Sequence, residues 1–406
     1  KMLLPILLSH LSISKSALSK EIQQESRVDG IWTMASQCVQ KKRALVIVLI
    51  SAAVLAAGIY KARDLKVGDY GQGVPELRDT SRYNQDNDMI VKKFAIGVNT
   101  LGVVAQTKGV QGACTNYDVM TVIEKFDWYM QNVEGTQSVI SLPGAARMMN
   151  AGYNEGNLRW RQLPRDPQVM AQSVTPINTD TGLLNPDCSA MQVLINTTDQ
   201  QGETIKRLVT EVKNFSKDYN SDKVEFKLAT GNVGVMAATN EAVDKARYEM
   251  HAAIFGALFL MCMVTFRSLR ATLCILIPLG IVSILCEALM PMLGIGLKVS
   301  TLPVIALGVG VGVDYGIYLY DRLEVHLEEG MELSRAFFEA LRERGAAMIF
   351  TAVTMTLGVG TWVMSALKFQ ADMGILLAFM FFLNMLGAIF LLPALAAFLL
   401  KPHKKA

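Results

Sequence analysis

Apolar residues gather along this chain into six long stretches, and polar residues into one broad interval between the first stretch and the second. The stretches are Ala44–Tyr60, His251–Phe266, Ala271–Leu293, Leu302–Tyr320, Ala347–Leu367 and Met373–Leu400. A helix needs about 20 mostly apolar residues to cross a bilayer, so each reads as a membrane span. The second is short, and its helix is expected to continue from Val233–Met250. Within the polar interval the period shortens. It predicts strand Val98–Gln106, helix Tyr117–Gln131, strand Ser138–Leu142, a partly helical region Ala145–Ser173, strand Met191–Asn196, helix Thr204–Tyr219 and strand Val224–Ala229. That order is βαβ, an insertion, then βαβ. Split βαβ units pack two helices on one face of a four-stranded sheet, and apolar positions then alternate along the strands. Val224, Phe226 and Leu228 alternate in this way. The predicted fold is an α-helical membrane bundle of six spans carrying an α+β domain.

Leu-Leu-Pro-x-Leu occurs twice, in Leu3–Leu8 and in Leu391–Ala396. This short internal repeat suggests that residues 1–10 end a preceding transmembrane helix and that the chain is the second half of a duplicated protein. The expected organisation is then 1–10 as that helix end, 11–43 as a cytoplasmic connector and 44–60 as the first span. An outer domain over 61–248, a five-helix bundle over 249–400 and a tail over 401–406 complete it. Leu11, Leu18, Ile22, Ile31 and Trp32 suggest a connector helix lying along the membrane surface, and residues 323–345 read similarly.

Composition agrees. Of 406 residues 51% are hydrophobic, and the mean hydropathy is +0.30, too apolar for most soluble proteins and too charged for a bare bundle. The net charge of +3 is small, with basic residues concentrated at span ends, so nothing points to nucleic acid. Lys41, Lys42, Arg43, Arg267, Arg270, Arg322, Arg335, Arg342, Arg344, Lys401, Lys404 and Lys405 flank one side of the spans; only Lys298 and Lys368 flank the other. Positive flanks stay in the cytoplasm. Both chain ends are therefore expected inside and the large domain outside, in the periplasm of a bacterium whose inner membrane holds the spans. Cys38, Cys262, Cys274 and Cys286 are expected to stay reduced. Cys114 and Cys188 share the outer domain, where oxidation is allowed; they are either bridged or two buried thiols.

Asp314 carries the candidate chemistry. It is the only formal charge in Thr301–Tyr320, and a carboxylate at bilayer depth costs at least ~2.5–3.5 kcal/mol, so such residues mark proton or ion pathways. Burial is expected to raise its pKa towards neutrality. Gly308, Gly312 and Gly316 recur every four residues and form a face for close helix packing, roughly opposite Asp314. Gly310 leaves space beside the carboxyl, and Thr351, Thr354 and Thr356 supply hydroxyls on the next span.

Other chemistry is weakly signalled. The four histidines show no metal-ligand spacing, and no nucleophile–base arrangement stands out. The glycines at 308, 310 and 312 imitate a nucleotide loop but lie inside a span and precede no soluble helix. An intramembrane aspartyl protease needs two carboxylates about one water apart, whereas Asp314 and Asp321 are separated by ~10.5 Å along one helix. Met148, Met149, Met170 and Tyr153 are candidates for an adaptable hydrophobic path, with core packing the blander role.

Several segments together resemble the C-terminal half of an RND-superfamily transporter, nearest the MMPL and hopanoid-exporter-like branch. They are Gly310–Gly316, Leu65–Asp69, Gly73–Leu77, Ser81–Asn84, Arg344–Thr354 and Phe369–Gly374. The resemblance implies a proton-driven exporter, with no cofactor beyond the proton gradient. It implies twelve spans and two porter-type domains in the whole protein, so an N-terminal half is the first expected partner. Substrates would be hydrophobic or lipid-like, drawn from membrane lipids. A trimer, dimer or monomer is implied, and a periplasmic carrier protein fits better than an outer-membrane channel. By resemblance Asp314 and Tyr315 are relay residues, with Thr351 and Thr354 beside them. A sterol-sensing, Patched-like protein and a SecD/SecF-type translocation accessory share this topology and stay open as alternatives.

Overall fold

A computed structural model describes residues 29–71, 73–94 and 99–400. The expected end of a preceding helix, most of the connector and the tail lie outside the described residues. The first span, α1, is Lys41–Ala62. It is followed by a strap, residues 63–81, and by α2, Arg82–Lys93, capped by the Ser81 side chain.

The extramembrane domain is a four-stranded antiparallel sheet in the order β2-β3-β1-β4. The strands are β1 Thr100–Thr107, β2 Thr136–Ile140, β3 Ala190–Thr197 and β4 Val224–Thr230. Helix α3, Tyr117–Gln131, joins β1 to β2, and the split βαβ pattern is complete once α6, Gly202–Tyr219, joins β3 to β4. Leu101, Val103 and Ala105 of β1 alternate into the core with Met191, Val193 and Ile195 of β3. Phe126 of α3 and Phe215 of α6 meet edge-on, with ring centroids 5.0 Å apart, and Phe226 of β4 lies 4.8 Å from Phe126. Such aromatic pairs add about 0.5–1.5 kcal/mol beyond the area they bury.

Strand β2 stops earlier than expected, at Ile140. The Ser141 side chain accepts from the Gly144 N–H, and Pro143 sits in the first turn of α4, Leu142–Tyr153. A serine cap followed by proline starts a helix, so Leu142 belongs to α4. The insertion continues with α5, Pro167–Val174. Met170 is fully buried, whereas Met148, Met149 and Tyr153 stand at the surface, so the core role fits Met170 alone. Cys114, ahead of α3, and Cys188, ahead of β3, form a disulfide with Cα atoms 5.5 Å apart.

Asp127 on α3 is buried beneath the sheet. It accepts hydrogen bonds from Ser141 Oγ and Gln131 Nε2, both at 2.5 Å. Burial nonetheless pushes its carboxyl above the usual aspartate range, against the lowering effect of those bonds and of Arg147. A carboxyl with a raised folded pKa binds more protons folded than unfolded, so its contribution is full below about pH 4, the unfolded value, and is lost as pH rises through the folded one. Asp127→Asn should therefore remove this acid-side component of stability. Chemical denaturation of wild type and variant between pH 4 and 7 checks it; parallel pH profiles would exclude it.

Five more membrane helices follow. Helix α7, Asn232–Phe266, is 35 residues long, ~52 Å at 1.5 Å per residue. The boundary expected at 248/249 lies inside this single helix: Val233 packs in the domain core and Val243 in the bundle. Then come α8 Leu269–Met292, α9 Leu302–Glu328, α10 Leu333–Gly360 and α11 Lys368–Leu386. A π-helical turn, Gly387–Leu391, leads from α11 into α12, Leu392–Leu399, and the three pieces make the sixth span. Helices α8, α9 and α11 are innermost, while α1, α7 and α10 leave most of their apolar surface uncovered, as lipid-facing helices do.

Residues 323–345 are not a separate surface helix. They are the ends of α9 and α10, which turn at Gly330, where φ is +83°. Ala336, Phe337, Ala340 and Leu341 are buried there, as is Trp32 from the short helix over residues 29–36. The Trp32 ring lies so close to Gly345 that a Cβ at that position would press on it.

Candidate functional site

Helix α9 is two-sided. Small residues on one side let α8 and α11 approach: a Cβ at Gly308 would overlap Met380, one at Gly312 would overlap Asn384, and one at Gly316 would meet Ile275 at 3.0 Å. Asn384, buried in the membrane bundle, donates from Nδ2 to the Gly308 carbonyl at 2.9 Å. Interhelical amide bonds of this kind stabilise membrane helix pairs by roughly 0.6–2 kcal/mol.

Leu307, Gly310, Asp314 and Tyr318 form the other side, and it is open. Nothing would obstruct a Cβ at Gly310. The expected burial of Asp314 is thus not found within this chain. The reason is helical phase: residues 312 and 316 face the neighbouring helices, and two residues, or about 200° of turn, separate each from 314.

Tyr315 goes with the glycine side. It is buried within the apolar core of the bundle, and its hydroxyl has no hydrogen-bond partner among the described residues. Asp314 and Tyr315 therefore lie on different faces of α9, one exposed and one buried. Thr351 and Thr354 lie on an exposed face of α10, donating to the Ala347 and Phe350 carbonyls of their own helix at 2.9 and 2.7 Å. A buried hydroxyl without a partner costs stability. Tyr315→Phe should consequently leave the melting temperature of the purified protein unchanged or raise it by a few degrees. A clear drop would show that the hydroxyl is bonded in the functioning protein.

A second polar centre lies nearer the domain. Arg247 of α7 grips Glu287 of α8 through two bonds, Nε to Oε1 at 3.1 Å and Nη2 to Oε2 at 2.6 Å. His251 Nε2 is 3.4 Å from the same carboxylate, and its Nδ1 is 2.7 Å from the Arg247 carbonyl oxygen. Arg247 and Glu287 line a cleft of about 790 Å³ between α1, α6, α7 and α8. Ile59 and Ile284 line its membrane side; Lys206, Val209 and Asn240 line its domain side. The sequence pattern did not single out this pair. The available signal was an arginine and a histidine at i and i+4 in the lead-in to a span. Asn384 was missed as well, although an amide inside an apolar stretch is a comparable signal.

The match to known proteins agrees with this architecture. The model of the MMPL family covers residues 79–402. The chain belongs to the MMPL family. MMPL proteins are RND-superfamily transporters rather than enzymes. Two relatives share the region. A "Putative membrane protein MJ1562" of Methanocaldococcus jannaschii is 25% identical over 282 residues, 68% of this chain and 70% of that protein. A "Multidrug resistance protein MdtC" of Pantoea ananatis is 24% identical over 299 residues, 67% of this chain and 29% of that protein. This MMPL chain thus matches less than a third of the longer relative and most of the archaeal one. The end of the strap and the first turn of α2, Asp79 to Asn84, open the family match, and both polar centres, with the whole of α9, fall inside it.

Proposed function

We propose that this chain is one half of a proton-driven exporter of hydrophobic or lipid-like molecules. The observation that carries the reading is the two-sided α9: one face is closed by glycine packing, and the other holds Asp314 open at membrane depth. An ionisable residue facing hydrocarbon would be costly. The open face is therefore where a second six-span half packs, either the N-terminal half of the same protein or another copy of this chain. That half supplies the remaining groups of the proton site.

The cleft between α1, α6, α7 and α8 suits the cargo. Ile59 and Ile284 lie on its membrane side and Lys206 and Lys213 of α6 on its domain side, so an amphiphile would enter tail-first from the lipid with its head towards α6. Apolar lining with a few placed polar groups is the usual character of a small-molecule site. The large domain is then periplasmic in a bacterial inner membrane, and a carrier protein would receive the cargo there. The similarity to a multidrug resistance protein supports export in general and leaves the sterol-sensing alternative without a specific observation in its favour.

The test is export from vesicles holding the full-length protein under an imposed proton gradient, with a fluorescent phospholipid as the probe. Export should stop when an ionophore collapses the gradient. Undiminished export after collapse would refute proton drive.

A further inference from the structure

The strap between α1 and α2 touches the α8–α9 loop, the α10–α11 corner and the start of α6. Its Val67 bridges Leu297 in the α8–α9 loop, with Gly68 N donating to Leu297 O at 2.8 Å and Leu297 N to Lys66 O at 3.0 Å. Its Leu77 bridges Leu367 at the α10–α11 corner, where Arg78 also donates to the Val363 and Ser365 carbonyls. Its Asp69 accepts, through the main-chain carbonyl, from Gly202 N at the start of α6 at 3.1 Å. The packing at this crossing leaves no room for side chains: a Cβ at Gly296 would overlap the Gly68 carbonyl, and one at Gly202 would overlap the Val67 carbonyl.

At the same crossing lies an ionic triad. Lys298 Nζ is 3.2 Å from Asp69 Oδ2 and 3.6 Å from Asp372 Oδ2. The side chains are 13%, 4% and 11% exposed respectively, which separates them from ordinary surface pairs worth little. Lys368, another cation near Asp372, is paired with Asp79 at 3.3 Å. Lys298 precedes α9 by four residues, and Asp314 lies ~18 Å further along that helix. Asp372 is in the first turns of α11, whose Asn384 holds Gly308 of α9. Asp69 is thus bonded on its side chain to Lys298 of the α8–α9 loop and on its main chain to the start of α6. A cavity of about 440 Å³ borders Asp69, Asn240 and Lys298, giving the triad room to rearrange.

We propose that Lys298, held between Asp69 and Asp372, is a positioning residue that couples displacement of α9 to the extramembrane domain. The inference rests on the relay reading of Asp314. If Lys298 transmits α9 movement, removing its charge leaves both ends folded but mechanically independent. Coupling claims need a two-state element that both sites bias, and here that element is the domain's position over the bundle.

The experiment uses full-length protein in lipid nanodiscs with spin labels at Asn214 on α6 and Leu293 on the α8–α9 corner. Asp314→Asn serves as the permanently neutral state. With Lys298 present, Asp314→Asn should shift the ratio of the two distance populations at least fivefold. In Lys298→Met that shift should vanish, and in Lys298→Arg, which keeps the charge, it should return. A role in stability alone would not give this pattern, since it would change the melting temperature and not the response to Asp314. A full shift in Lys298→Met, or no recovery with arginine, overturns the proposal. No shift even with Lys298 in place overturns it too, because nothing would then be transmitted. The relay is judged separately, by export in Asp314→Asn.

Discussion

If the relay reading is right, Asp314→Asn is expected to bring proton-driven export down to background while leaving expression and folding near wild type. Asparagine keeps the shape of aspartate but cannot take up and release a proton. The position of Asp314 supports the folding part of this expectation. Asp314 is on the open face of α9, so the glycine contacts with Met380, Asn384 and Ile275 are untouched. A neutral amide at bilayer depth is also less costly than a carboxylate, by up to ~3 kcal/mol on insertion scales, so stability should hold or rise. The competing possibility is an aspartate whose hydrogen bonds, not its titration, are needed. Asparagine would preserve most of those bonds and therefore export. Flux measured with and without the gradient, in wild type and variant, separates the two. Wild-type flux in the variant would end the relay reading.

The sequence makes some of this architecture readable and hides the rest for physical reasons. Helix Tyr117–Gln131 has the same limits in structure as in pattern, because Asn116 caps it by accepting from Asp118 N and Val119 N and its apolar residues repeat at the helical period. Spans were readable because length and hydropathy suffice to define them. Limits failed where a cap outweighed β-propensity, as at Ser141. The face of α9 that packs was readable from the glycine spacing. What that spacing cannot show is whether the opposite face is covered, since cover comes from residues remote in sequence or from another half. The same holds for Arg247 and Glu287, which are 40 residues apart, and for Lys298 and Asp69, 229 apart. Long-range ion pairs leave no periodic signature, and each member alone reads as a helix-end charge.

Removing one member of the Arg247–Glu287 pair is expected to have the largest stability effect in the bundle. Their side chains are 16% and 10% exposed, so neither charge is well solvated. Breaking such a pair by deleting one partner typically costs about 3–5 kcal/mol, because the other is left buried and unmatched. Glu287→Leu should therefore lower the melting temperature sharply, and Arg247→Met similarly. The double variant Arg247→Met/Glu287→Leu should lie near wild type, since apolar replacement of an entire buried pair is often neutral or favourable by ~1–4 kcal/mol. His251 does not spoil this expectation. Its Nδ1 contact is to the Arg247 backbone carbonyl, which the double variant keeps. Thermal unfolding of the three variants in lipid measures the coupling directly. If the double variant loses as much as both singles added together, the pair contributes no mutual stabilisation. Export by the double variant then adds a functional reading. A stable double variant that no longer exports places the pair in the substrate cleft it lines, whereas one that exports normally makes it a fastening between α7 and α8.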